Sequence, residues 1–481
     1  MKILFVNSAL GGDYSALDIA ITALATYINE RTQHKAAICD LTFHRRHWQK
    51  HLKQQIQRDK PDIIGISANT MYMQYVRQIM SEVKKNFKIP IILGGYHASI
   101  SPDDCINIAE TDMVCIGDSE YIMQELLDKL QQNKDIKNIK GLWLKENGKI
   151  IKNEGGCFIE DIDKFPIPNW DLWEDLDLYF YFLGMLYIIG SRGCPYRCTY
   201  CDAHGISQAV NGRYYRIRNP RQYAQEIAFQ WNKYKNRGVR LAQLFDQVFT
   251  FDEKWVTEFC DEYRKQGIAD KFRFSTFSRI DNLNEKKILE LSRSGCALLR
   301  VGIEAGDTRI RNEIYKKNIS NEKIREIFRL CKQNNIGFTA FYMLGGPGES
   351  RATIEKTISL ARELDANRSA FFVYKPFTVE GLKQIVEHGG MVDETLWKKA
   401  DNITFDAVVR LKDLSPKQIE WLQKKAYFFT FGRRLIRMIL KQKLWYFLRL
   451  FTYMAKGLYY GLDPRYCIIY YHIYGYDNVD K

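Results

Sequence analysis

Across the first 130 residues, short β-branched apolar runs alternate with amphipathic stretches. The runs are Ile3 to Val6, Ala36 to Cys39, Ile63 to Ser67, Ile89 to Leu93 and Met113 to Ile116. This βαβ rhythm predicts a parallel sheet wrapped by helices over residues 1–135, with ligands bound beyond the carboxyl ends of the strands. The turns there are Asn7 to Asp13, Ser67 to Thr70, Gly94 to Ser99 and Gly117 to Glu120. None is GxGxxG and the chain has no GxxxxGK[ST], which disfavours a nucleotide-phosphate cradle. Over 136–184 the rhythm breaks. Asn147-Gly148 between two apolar runs predicts a hairpin, Phe165-Pro166-Ile167-Pro168 forces extended chain, and the segment reads as a connector. A second alternation fills 185–380, with strands expected at Leu186 to Ile189, Leu241 to Phe245, Phe272 to Thr276, Leu298 to Ile303, Phe338 to Leu344 and Ala370 to Tyr374. Six strands with helices between them predict an incomplete (β/α)6 barrel whose site faces the strand ends. Residues 381–481 lack strand rhythm and read as helical.

With 481 residues, 46% hydrophobic and 27% charged, the chain has the composition of a globular enzyme, which excludes disorder and collagen-like repeats. Ile3 to Val6 is too short for the apolar core of a signal peptide, and no run of 18 apolar residues occurs, so the expected compartment is cytoplasmic. Eleven cysteines in such a chain are expected as reduced thiols or metal ligands rather than a disulfide framework. The net charge of +14 is uneven: residues 417–481 hold 12 Lys and Arg against 4 Asp and Glu. Arg433, Arg434, Arg437, Lys441, Lys443 and Arg449 are mixed there with Tyr427-Phe428-Phe429, Trp445-Tyr446-Phe447, Tyr459-Tyr460 and Tyr470-Tyr471. The preferred reading is a helical cap with a solvated basic face. Peripheral contact with an anionic membrane is the alternative. No nucleic acid partner is expected, because charge alone is poor evidence and no binding module is present.

The chemistry concentrates after the first barrel strand, in Ser191-Arg192-Gly193-Cys194-Pro195-Tyr196-Arg197-Cys198-Thr199-Tyr200-Cys201. Three cysteines spaced CxxxCxxC can turn their sulfurs inward on one loop and leave the fourth iron of a cubane without a protein ligand. From the residues alone two other readings stay open: a zinc site with His204 as its fourth donor, and three unrelated buried thiols.

The loop, its place at a barrel strand end and the motifs that follow resemble the radical S-adenosylmethionine (SAM) superfamily. The motifs are Leu244-Phe245-Asp246, Ser278-Arg279-Ile280-Asp281, Val301-Gly302-Ile303-Glu304-Ala305-Gly306 and Phe341-Tyr342-Met343-Leu344-Gly345-Gly346-Pro347-Gly348-Glu349-Ser350. The resemblance implies a TIM-like barrel in which Cys194, Cys198 and Cys201 hold a 4Fe-4S cluster that cleaves SAM to methionine and a 5′-deoxyadenosyl radical. It also implies that Tyr200 lies by the adenine, Arg279 pairs with the methionine carboxylate, Glu304 meets the ribose, Asp246 lies near the cofactor, and Gly345 belongs to the turn beneath the adenine. Two departures, Asp246-Gln247 and Pro376-Phe377-Thr378, fall on the substrate side, so analogy does not assign the substrate.

Asp62-Ile63-Ile64-Gly65-Ile66-Ser67, Gly94-Gly95-Tyr96-His97-Ala98-Ser99 and Gly117-Asp118-Ser119-Glu120 resemble the Rossmann-like cobalamin-binding domain of the cobalamin-dependent members. Ser67, Gly94, Gly95, His97, Ser99 and Gly117 are the cobalamin contacts implied. Asp118 and Ser119 depart from the usual Gly-Glu-Gly-Glu. No Asp-x-His-x-x-Gly is present, so the lower face of cobalt is expected without a histidine, with His97 against the corrin. Cysteine placement elsewhere fits a single cluster, with Cys260, Cys296 and Cys331 as core residues. The function implied is methyl transfer from cobalamin to an unactivated carbon of a small molecule or lipid precursor, with an electron donor such as flavodoxin or ferredoxin. Cyclisation or rearrangement with the same cofactors is the alternative, and a non-catalytic corrinoid or iron-sulfur sensor the third reading.

Overall fold

The computed structural model describes residues 1–11, 17–400, 404–440, 444–465 and 467, with the side chains of 398–399, 433–440 and 444–447 outside that description. Residues 12–13 of the first expected turn lie outside it. So do Tyr470-Tyr471, Lys441 and Lys443, and the side chains of Arg433, Arg434, Arg437 and Trp445-Tyr446-Phe447. The described chain divides into two compact units, one built on 1–183 and 205–218 with the segment from Thr452, the other on 184–204 and 219–451.

In the first unit the expected apolar runs become five parallel strands: β1 (Lys2–Asn7), β2 (Lys35–Asp40), β3 (Ile63–Ser67), β4 (Ile91–Gly94) and β5 (Met113–Cys115). Their order β2-β1-β3-β4-β5 reverses direction at the β1/β3 boundary, where such sheets open a crevice at the strand ends. Leu4, Ile64, Ile66, Leu93 and Val114 are buried in one core under the flanking helices. The Asn147-Gly148 hairpin is real but differs in role from the expected connector. Its strands β6 (Leu142–Glu146) and β7 (Lys149–Lys152) pair antiparallel onto β5 and extend the sheet to seven strands. Burial of Leu142 and Leu144 against the sheet explains why the hairpin docks rather than bridges. The chain stays in the first unit up to Leu183.

In the second unit six parallel strands follow one another in chain order: β8 (Met185–Ile188), β9 (Leu241–Leu244), β10 (Arg273–Ser278), β11 (Cys296–Glu304), β12 (Gly337–Leu344) and β13 (Arg368–Val373). The five intervening helices open on Asn219, Asp252, Asn284, Ser320 and Ser350. Each cap's side-chain oxygen accepts a first-turn backbone N–H, so the sequence marks every crossover start. The partial barrel leaves β13 at an edge. The helix Pro416–Leu440 covers it: Gln423 Nε2 donates to Phe371 O at 2.6 Å and Tyr427 packs its ring on Phe371. The helical cap is thus found, with one addition, a short antiparallel pair of 391–392 with 409–410. Among the described residues no helix is long and apolar enough to cross a membrane.

Gly65 of β3 lies beside Phe5 of β1, whose ring crosses the space a side chain would take. A Cβ at Gly65 would come within 2.7 Å of that ring. Gly65→Ala is expected to destabilise by about 1–3 kcal/mol through overpacking. Adding Phe5→Leu, which removes the clashing ring, is expected to restore part of the loss in thermal unfolding.

Candidate active site

The cysteine loop leaves β8 through Gly190 and Ser191, and both are tied to Asp246 just beyond β9. Asp246 Oδ1 accepts from Gly190 N (3.0 Å) and Ser191 Oγ (2.6 Å), and Oδ2 accepts from the Tyr223 hydroxyl (2.8 Å). Asp246 is buried, and burial raises its pKa against these hydrogen bonds. Its partners here are protein groups, so the structure makes it the anchor of the loop. Farther along, Tyr196 donates to Asn282 Oδ1 (2.5 Å), Thr199 Oγ1 to Ile314 O (2.7 Å) and Thr378 Oγ1 to Thr199 O (2.8 Å). The loop is therefore held from β9, β10, the segment after β11 and the segment after β13.

Cys194, Cys198 and Cys201 are free thiols, and the Cys201 amide closes a turn on Cys198 O (3.1 Å). Burial raises the pKa of Cys194, and that of Cys201 to about 12, with the neighbouring cysteines acting in the same direction. Among the described residues no three His, Cys, Asp or Glu side chains converge on one point to hold a single metal ion. A cubane spreads its three thiolate ligands over separate irons. Three thiols grouped on one loop suit such a cluster with one iron left open.

Beside the loop stands a chain of charges. Arg279, just after β10, makes a bidentate pair with Asp281 (3.0 and 2.8 Å) and donates to Lys317 O (2.9 Å). Its Nη1 lies 3.2 Å from Cys198 Sγ, and its guanidinium lies over the Tyr196 ring at 3.8 Å. Burial opposes its charge, but Asp281 and Cys198 outweigh burial and raise its pKa. Lys317 Nζ in turn pairs with Glu304 Oε1 at 2.5 Å, with both side chains more than nine-tenths buried. The Tyr200 hydroxyl donates to the same Glu304 oxygen at 3.0 Å. Burial first, and Glu304 second, raise the Tyr200 pKa.

Backbone geometry explains how Glu304 and Lys317 meet. Glu304 ends β11 in the left-handed region (φ 67°), where the β11/β12 register shifts. Lys317 sits between Lys316 and Asn318, which also have positive φ (53° and 52°). Three non-glycine residues in this region around one ion pair store strain of the kind found at functional sites. Tyr315 packs edge-on to Tyr200 at 5.4 Å, and its hydroxyl fills the space beside Gly346, where a Cβ would lie 1.9 Å away. Gly345 (φ 85°) opens that turn, and the amides of Gly345 and Gly346 both donate to Glu349 Oε2 (2.7 and 3.0 Å). The structure thus brings together the cysteine loop, Tyr200, Arg279, Glu304 and the Gly345 turn. Sequence reasoning missed Lys317, Tyr315 and the capping role of Glu349. Only Glu349, inside a quoted motif, carried a signal.

In the first unit, the expected residues gather at the ends of β3, β4 and β5. Gly95 (φ 91°) passes so close to Ser67 and Ala68 that a Cβ would meet Ala68 O at 3.0 Å and Ser67 Oγ at 3.1 Å. The Ser99 hydroxyl accepts from Gly117 N at 3.1 Å. Gly117 (φ 92°) is packed in the same way as Gly95, with a Cβ there 3.0 Å from Val210 Cγ1, so both glycines let the turns after β4 and β5 run close against neighbouring chain. His97 Nδ1 lies 3.0 Å from Thr70 Oγ1, and burial lowers its pKa. Asp118, the departure from the family pattern, forms a buried ion pair with Arg216 and accepts from Ile159 N (2.8 Å), while Arg216 stacks on Phe158 at 4.7 Å.

Comparison with known proteins agrees with both halves. Residues 6–127 match the B12 binding domain and residues 188–361 the radical SAM superfamily. An uncharacterized methyltransferase of Pyrococcus horikoshii is 28% identical over 381 residues, 77% of this chain and 79% of its own length. The anaerobic magnesium-protoporphyrin IX monomethyl ester cyclase of Rubrivivax gelatinosus is 27% identical over 73% of this chain; the match spans 63% of the cyclase. The radical SAM methyltransferase TsrM of Kitasatospora setae, solved with cobalamin and a 4Fe-4S cluster, shares the fold with a TM-score of 0.69 at 19% identity. That match covers 88% of this chain and 84% of TsrM. The protein is a radical SAM enzyme. It belongs to the cobalamin-dependent branch of that superfamily, and its cofactors are a 4Fe-4S cluster, SAM and cobalamin.

Burial raises the Glu349 pKa from 4.5 to about 8. Between those values the folded chain binds a proton that the unfolded chain has lost, so this group makes stability fall as pH rises from about 4.5 to about 8. Glu349→Gln keeps an acceptor for the two glycine amides and removes the titration. Thermal unfolding from pH 5 to pH 9 is expected to show the variant gaining Tm relative to the wild type as pH rises, with the difference levelling above pH 8.

Proposed function

We propose that the enzyme transfers a methyl group to an unactivated carbon of a small molecule or lipid precursor. The observation that carries this reading is the pairing, in one chain, of a three-thiol loop in a radical SAM barrel with glycine turns at the strand ends of a B12-binding sheet. Identity to a methyltransferase over most of both chains supports it. When bound, the cluster supplies the electron that cleaves SAM to a hydrogen-abstracting radical, and cobalamin relays the methyl group.

In this reading Cys194, Cys198 and Cys201 hold the cluster, and Arg279 sets a fixed positive charge beside a sulfur that binds iron as a thiolate. Glu304 and Tyr200 offer polar groups to the ribose and adenine of SAM, with the Gly345 turn passing under the ring. Asp246 acts as a positioning residue through Gly190 and Ser191. Ser67, Gly94, Gly95, Ser99 and Gly117 form the cobalamin cradle, and His97, engaged with Thr70, lies against the corrin. Flavodoxin or ferredoxin supplies the electron.

Anaerobic reconstitution with iron, sulfide and hydroxocobalamin is expected to yield about four irons and about one corrinoid per chain. With SAM and a strong reductant, turnover on the true substrate yields both 5′-deoxyadenosine and S-adenosylhomocysteine, and Cys198→Ala abolishes the first. Turnover that gives 5′-deoxyadenosine and altered substrate without S-adenosylhomocysteine would overturn methyl transfer in favour of cyclisation or rearrangement, the reaction class of the cyclase relative.

The C-terminal helix Leu444–Tyr459 supports peripheral membrane contact as a separate proposal. Leu448, Phe451, Leu458 and Tyr459 are exposed on it at helical spacing, and Arg449 and Lys456 are its only charges. Phe451→Asp combined with Leu458→Asp is expected to abolish sedimentation with anionic liposomes. Sedimentation equal to that of the wild type rejects the proposal.

A further inference from the structure

The six-stranded barrel turns aromatic rings to both faces of its sheet, and the two sets differ in accessibility. On the outer face Tyr342 of β12 and Phe371 of β13 stack at 4.9 Å and are fully buried, with Tyr427 of the covering helix closing over Phe371. Side chains alternate along a strand, so Phe341 and Phe372 point the other way, into the barrel. There the rings form a chain around the wall. Tyr187 of β8 lies 4.5 Å from Phe245 after β9, Phe245 lies 5.6 Å from Phe277 of β10, and Phe277 lies 6.2 Å from Phe341. Phe341 lies 5.9 Å from Phe372. Phe245, Phe277, Phe341 and Phe372 are all only half-buried, although they line the inside of a barrel. Rings sealed under helices on the outside and open on the inside define a chamber rather than a packed core.

Gly302 completes the arrangement. It pairs with Phe341 in the β11/β12 register, and the rings of Phe277 and Phe341 stack across β11 at an interplanar angle of 20°. The space above Gly302 belongs to the Glu304–Lys317 pair: a Cβ there would lie 1.8 Å from Glu304 Oε1 and 2.5 Å from Lys317 Nζ. The aromatic wall therefore ends directly beneath the pair placed beside the SAM site. Below it, the barrel closes with Arg300, whose guanidinium lies 5.9 Å from the Phe277 centroid, and with the Gln243–Ser275 hydrogen bond (2.6 Å).

We infer that this wall is the substrate site and that the substrate presents a flat aromatic or conjugated ring to Phe277 and Phe341. Stacked rings favour a planar π face over an aliphatic body of equal size, because the quadrupole contribution adds to area burial. The inference rests on the reading that substrate is handled inside the barrel beside SAM.

Equilibrium dialysis tests it on reconstituted enzyme saturated with SAM and cobalamin, using indole as the planar probe and cyclohexylmethanol as a saturated ring of similar size. Indole is expected to bind about tenfold more tightly. Phe341→Leu and Phe277→Leu, which keep apolar volume and lose the ring, are each expected to weaken indole binding about fivefold without changing cyclohexylmethanol binding, iron content or SAM affinity. Equal affinity for the two probes, or undiminished indole binding in both Leu variants, overturns the inference. The binding readout needs no turnover, so loss of the methyl-transfer reading through absent S-adenosylhomocysteine leaves a result separate from loss of the planar-substrate reading.

Discussion

The site in the second unit depends on fixing a loop that has no covalent tie. Three thiols must be presented together without a disulfide and without a fourth donor, so the loop's shape comes from elsewhere. Asp246 supplies the first restraint by taking hydrogen bonds from two successive loop residues and from Tyr223 in the buried interior. An ionised carboxylate there is expensive to bury, and three donors offset that cost. Thr199 and Thr378 fix the other end through backbone carbonyls. The cysteine loop is thereby referenced to strands distant in sequence, which is how a parallel barrel turns strand order into site geometry.

The same logic orders the charges. Arg279, Asp281, Lys317, Glu304 and Tyr200 form one connected network in which each buried charge has an opposite partner or a hydroxyl. Removing one member leaves another buried and uncompensated, which costs far more than the pair contributes. Positive φ at Glu304, Lys316 and Asn318 shows that backbone preference has been given up to close this network.

Much of this was legible in the sequence because periodicity and spacing are local. The six barrel strands fall within a few residues of the apolar runs that predict them, and the CxxxCxxC spacing alone places three sulfurs on one loop. What stayed hidden is long-range. Lys317 is one of two adjacent lysines, and nothing in Tyr315-Lys316-Lys317-Asn318 distinguishes a buried partner of Glu304 from a solvated charge. The hairpin at Asn147-Gly148 was readable as a hairpin, but whether it bridges or docks depends on the free edge of β5, which no local pattern reports. Asp246 was readable as important and not as an anchor, because its donors lie 55, 56 and 23 residues away.

Departures from a family pattern then acquire a physical meaning. At Gly117-Asp118-Ser119-Glu120 the aspartate looks like erosion of a ligand motif, yet its carboxylate is buried against Arg216, 98 residues later, and accepts the Ile159 amide. The Phe158 ring covers the guanidinium from the other side. These contacts hold the loop whose Gly117 amide donates to Ser99, so a long-range ion pair sets the path of this turn. A buried pair gives little net stability but admits few alternative geometries, and a turn containing a positive-φ glycine needs that kind of constraint. The path of Gly117-Asp118-Ser119-Glu120 is thus set by contacts that Asp118 makes far along the chain.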